Sequence, residues 1–175
     1  MGLKLLSEKT NGHLTNFFST EDAGISHYEG DPIDIGSAAI NRVSTQVGGY
    51  TFIALDNPAN DTGTINEATI YSDTNLVGAV LIIFERNTTN TFTPRSFAVL
   101  GAVTAGGDTF SGLSLAVETG DFVALYWDTG ALDVVDTGGA GCYYKSGDQS
   151  EAGIQTYVNT GTSARDISVY ATGIT

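Results

Sequence analysis

The chain has 175 residues and a mass of 18.2 kDa, the size of one domain with room for a short arm, and it can bury about 70% of its unfolded surface without a disulfide or metal. Charged residues are only 15%, Gly occurs 22 times, and there are 8 Tyr, 8 Phe and 1 Trp; so many aromatics exclude disorder, and a chain rich in Gly and Thr makes poor helices. With 7 basic residues against 20 acidic ones the net charge is −13, which repels phosphate backbones and anionic bilayers, so neither nucleic acid nor membrane is an expected partner.

Residues 1–32 differ in texture from the rest. They hold both histidines, His13 and His27, and scattered apolar groups without alternation. They read as an N-terminal arm, with Leu5, Leu6, Leu14, Phe17 and Phe18 as its docking side chains. The leucines near the start form no continuous apolar core, so no signal peptide is expected. Residues 33–175 read as one β domain. Strands are predicted at 33–43, 49–55, 63–72, 77–85, 95–104, 108–117, 121–128, 131–135, 141–145, 154–158 and 166–172. This regular spacing, with turn residues between, marks an all-β sandwich or barrel.

Local patterns refine the strands. Val80 to Phe84 is apolar at every position, as in a central strand covered on both faces. Further on, Phe122, Ala124, Tyr126 and Asp128 share one face and Val123, Leu125 and Trp127 the other. Gly112 interrupts the alternation of 109–117 and predicts a bulge. Gly120, between Thr119 and Asp121, predicts a tight hairpin with a positive φ.

Chemistry is sparse. A nucleophile needs a base, and both histidines lie in the arm. Glu67 and Glu85 are the strand carboxylates that would serve a glycosidase; no other hydrolase motif occurs, and the chain reads as non-enzymatic, with no cofactor. The single cysteine, Cys142, reads as a small buried core residue. Asp56, Asn57, Asn60 and Asp61 form a loop of hard oxygen donors suited to Ca²⁺, without the EF-hand order. Asp133, Asp136, Asp148 and Glu151 are a second, dispersed set. Both sets equally suit turns, where Asp and Asn bond their own backbone, and no metal is assigned. Trp127, Asp128, Tyr143, Tyr144 and Gln149, with Tyr126, Tyr157 and Lys145, are candidates for a glycan-binding patch; the same aromatics serve core and interface packing.

Three stretches, DNPANDTGTINEATIYSDTNLVGAV (56–80), TFSGLSLAVETGDFVALYWDTG (109–130) and YYKSGDQ (143–149), resemble β-sandwich proteins encoded by tailed phages and environmental viruses. The Gly120-Asp121 hairpin is also similar to a strand pair in jelly-roll carbohydrate-binding modules and C1q-type trimers. Taken with the strand pattern, the resemblance implies an antiparallel β-sandwich of jelly-roll type and a virion accessory protein: a capsid decoration protein, head fibre or tail-associated adhesin, assembled in the host cytoplasm. Its partners would be the major capsid protein or another virion protein, and further copies of itself, a trimer being favoured. A carbohydrate-binding module or lectin-like adhesin that engages host-surface glycan is the alternative.

Overall fold

The structure, a computed structural model, describes residues 30–159 and 165–175. The docking side chains assigned to the arm, Leu5, Leu6, Leu14, Phe17 and Phe18, lie outside the described residues. Among the described residues every regular element is a strand. In chain order these are β1 (Pro32–Gly36), β2 (Ser44–Val47), β3 (Tyr50–Ala54), β4 (Gly63–Ser72), β5 (Leu76–Arg86), β6 (Thr91–Val103) and β7 (Gly106–Val117). There follow β8 (Phe122–Trp127), β9 (Ala131–Val135), β10 (Cys142–Ser146), β11 (Gln155–Thr156), β12 (Val158–Asn159), β13 (Asp166–Ile167) and β14 (Val169–Ile174).

The strands form two antiparallel sheets of seven. The first contains the row β1-β14-β4-β9-β13, with β7 also on β4 and β2 on β9. The second is the row β11-β6-β5-β8-β3-β10-β12. Its two terminal strands belong to one five-residue segment. Gln155 and Thr156 pair with Phe92 and Thr91 of β6, whereas Val158 and Asn159 pair with Tyr144 and Tyr143 of β10. Tyr157 stands between them, its N–H donating to the Asn90 carbonyl at 2.9 Å. The segment is thus a strap joining both edges of the sheet.

The side-chain period of two then builds two apolar layers. Ala79, Leu81 and Ile83 of β5 and Val123, Leu125 and Trp127 of β8 face the first sheet, where they meet Ile33, Ile35, Ile65, Ile70, Leu115 and Val117. Their neighbours Val80, Ile82, Phe84, Phe122 and Ala124 face the other way and pack with Ile53, Phe92, Tyr143 and Tyr157 beneath the strap. Burial of each large apolar side chain stabilises by about 1.5–3 kcal/mol, so β5 and β8, buried on both faces, anchor both layers.

The strands at 63–72 and 131–135 fall where the sequence places them, and the register of β4 against β7 slips around Gly112, which has φ 74°. Two expectations change. The run 33–43 ends at Gly36, whose φ of 90° turns the chain, and the next strand, β2, begins only at Ser44. The run 154–158 breaks at Tyr157, because its two halves pair with opposite edges.

Candidate functional site

The aromatic patch predicted for glycan does not assemble as one surface. Trp127 is fully buried between the sheets, with its indole N–H donating to the Gly130 carbonyl at 3.3 Å, so it offers no stacking face. Tyr144 lies on the same side of the sheet, half-buried and stacked on Phe52 with ring centroids 5.8 Å apart. Tyr143 points to the opposite side and is buried against Phe92. Asp128 is exposed but accepts the Tyr126 hydroxyl at 2.6 Å, and that bond above all pushes the Tyr126 phenol up to about 12. Gln149 folds back, its amide donating to the Ser146 carbonyl at 2.9 Å.

What the fold does assemble is a hollow of about 610 Å³ beside the strap. Thr89 and Asn90 of the β5–β6 turn, Tyr143 of β10 and residues 156–159 line it. Among the described residues no charged side chain lines the hollow. Behind it, the Arg86 guanidinium lies 5.7 to 5.8 Å from the rings of Phe92, Phe122 and Tyr143. This is cation–π range, worth about 0.5–2 kcal/mol according to desolvation. The same guanidinium donates to the carbonyls of Thr88 and Thr89, holding the turn over the aromatic layer. The Tyr157 hydroxyl is buried without a hydrogen-bond partner, and its burial pushes the phenol well above its usual range.

The loop proposed for Ca²⁺ is a clasp on β1. The Asn60 amide oxygen accepts the Asp34 N–H at 3.0 Å, and its NH₂ donates to the Pro32 carbonyl. Asn57, held at φ 46°, donates to the Asp34 carboxylate at 3.2 Å. Asp61 accepts the N–H of Thr62 at 2.7 Å, and Asp56 is half-buried. The second set separates too. Asp133 is buried, with one oxygen accepting the Arg42 N–H and the other unpartnered. Asp136 is held below the ordinary carboxylate range, chiefly by the Ser44 hydroxyl and then by Arg165. Asp148 caps the Ser150 N–H. Glu151 is exposed. Among the described residues no three His, Cys, Asp or Glu side chains gather as a metal-holding group.

Pro58-Ala59-Asn60 of the 56–80 stretch and Gly120-Asp121 of the 109–130 stretch meet in space. Ala59 donates to the Asp121 carbonyl and accepts from the Gly120 N–H. Gly120 has the positive φ expected, 89°. The buried Asp121 carboxylate accepts the Glu118 N–H at 2.8 Å and pairs with Arg95, which also reaches Glu118 at 2.7 Å and Glu85 at 3.6 Å. Glu85, one of the two strand carboxylates considered for catalysis, is therefore part of a structural ion network.

That use of charge is general. Arg42 donates to the Ser168 and Ser37 hydroxyls and the Ala38 carbonyl. Arg165 binds Asp136 and Gln46, and Lys145 reaches the Thr156 carbonyl of the strap. Together with Arg86 and Arg95, every basic side chain among the described residues is tied to the fold. These clamps escape sequence reading because their partners lie up to 126 residues away. The Cys142 thiol is buried and pushed up to about 12, mainly by desolvation, so it is no nucleophile at neutral pH. No family model, curated protein or solved structure matches this chain.

Proposed function

We propose that the chain is a non-enzymatic virion protein whose two sheets form a jelly roll, displayed as a homo-oligomer, with a trimer favoured, on a capsid or tail. The observation that carries this reading is the internal use of positive charge. All five described basic groups clamp loops and strands, so the outward charge of a chain of net −13 is acidic. Such a surface favours solubility and mutual repulsion at high local density, and the clamps favour a rigid display domain over a flexible catalytic one. The resemblance of the 56–80 and 109–130 stretches to virion β-sandwich proteins supports the same reading, since those stretches here hold one another together. The major capsid protein or another virion protein would be the docking partner, engaged through residues 1–32, and assembly would take place in the host cytoplasm.

Quantitative mass spectrometry of purified virus particles tests the proposal. The expected result is the chain at a fixed ratio to the major capsid protein, lost when residues 1–29 are deleted. Its absence from washed particles would reject the virion reading. A second reading, carbohydrate recognition by a lectin-like adhesin, is favoured by the hollow beside the strap, whose described polar lining is of Asn, Thr and Tyr groups. Glycan-array binding that Asn90→Ala abolishes would support that reading.

A further inference from the structure

β6 and β7 are 13 and 12 residues long and consecutive in the chain, yet they belong to different sheets. β7 is laddered to β4 alone. β6 is laddered to β5, and its other edge meets only the strap, at Thr91 and Phe92. No ladder joins β6 to β7; the Ser96 hydroxyl donating to the Ala116 carbonyl at 2.7 Å is the hydrogen bond described between them. Among the described residues two long strand edges are therefore left unpaired side by side.

The side chains there are apolar and incompletely covered. Ala98 and Leu100 of β6 and Phe110 and Leu113 of β7 pack on the inter-sheet core but stay partly open. On the other face of β6, Val99 is 73% exposed and Phe97 38%. Between Arg95 and Glu118 the sequence holds one charged residue, Asp108, and its carboxylate is turned onto the Thr104 N–H at 2.7 Å. Exposed edges are normally guarded by charges, prolines or bulges. Here the guards are Pro94 near the start of β6 and the bulge at Gly112, with no Lys or Glu on either edge beyond Arg95.

Charge decides the occupant. Interface cores are depleted of charged residues, and two copies of an acidic chain repel wherever their carboxylates face one another. The 96–117 hairpin is where they can meet with that repulsion least. We propose that the adjacent, unladdered edges of β6 and β7 are a self-association surface, and that a second copy of this chain occupies it. The proposal deepens the homo-oligomer part of the reading above and does not depend on the virion location, which particle composition tests separately.

Sedimentation velocity of the full chain tests it, with Val99→Asp and Ser114→Asp on the two edges and Val43→Asp as control, Val43 being 92% exposed and adjoining β2, which is laddered to β9. All three positions face solvent, so thermal melts should stay at the wild-type value. The wild-type chain is expected to form a discrete oligomer that strengthens with added salt, as screening relieves the acidic repulsion. Each edge variant should weaken association by about tenfold or more, because it buries like charges against each other, while Val43→Asp leaves it unchanged. A wild-type chain that is monomeric up to its solubility limit would overturn the proposal. So would an oligomer indifferent to both edge variants, or one that Val43→Asp weakens equally.

Discussion

The two apolar layers of this chain are closed by different means. Between the sheets the layer is mostly aliphatic, and long ladders on both sides hold it. The second layer is richer in aromatics, and its cover is the strap at 155–159 with the Arg86 guanidinium beside it. Each half of the strap has a two-residue ladder. A layer sealed by sheets opens only when the fold does, whereas one sealed by a short strap can open locally. Stability and accessibility therefore separate within one domain, and the hollow lies on the side that can open.

The largest effect is expected in the sealed layer. Leu125→Ala should cost about 2–5 kcal/mol, the range for a truncated core leucine, by denaturant unfolding; a change within about 0.5 kcal/mol would mean that the site behaves as surface. The turn that launches β8, the strand shared by both layers, comes next. A Cβ at Gly120 meets no atom within 4 Å, so the penalty there is purely conformational. Gly120→Val should melt below Gly120→Asn by the equivalent of about 1 kcal/mol, since Asn tolerates the left-handed region and a β-branched residue does not. Equal melting temperatures would remove that distinction.

In the strapped layer the sign reverses. Removing the unpartnered hydroxyl by Tyr157→Phe should raise stability by up to about 1 kcal/mol, because a buried unsatisfied donor carries a desolvation penalty; destabilisation would show that the hydroxyl has a partner. The smallest effect at neutral pH concerns Cys142, in the sealed layer. Its thiol pKa is raised from 9.0 to about 12 by burial, so the folded state holds the proton more tightly than the unfolded state. Its contribution is complete below about pH 9 and is lost between there and about 12, and iodoacetamide should label the native protein at neutral pH no faster than it unfolds.

Much of the sealed layer was legible because its signals are local. The unbroken apolar run at Val80 to Phe84, the alternation through Val123, Leu125 and Trp127, the bulge at Gly112 and the turn at Gly120 each follow from a few adjacent residues. β2 was not legible, since Ser-Thr-Gln-Val carries no apolar face and owes its strand geometry to β9. Nor was the strap, whose two halves depend on strands far apart in sequence. The proposed glycan patch grouped residues that alternation already divides: Tyr126 and Trp127 are neighbours and must face opposite ways. Of its members only Tyr143 and Tyr157 line the hollow, beside Asn90, Thr89 and Thr156, polar residues that look like any loop residues until the strap is in place.

Native-state hydrogen exchange, read at single amides, tests the difference between the layers most directly. The Tyr157 amide, bonded to the Asn90 carbonyl, should exchange through a local opening that is insensitive to low denaturant. The amides of Val123 and Leu125 should exchange only with the global unfolding free energy and follow its denaturant slope. Equal protection of Tyr157 and Leu125, with the same denaturant dependence, would show that strap and sheets unfold as one unit and would contradict the separation of the two layers.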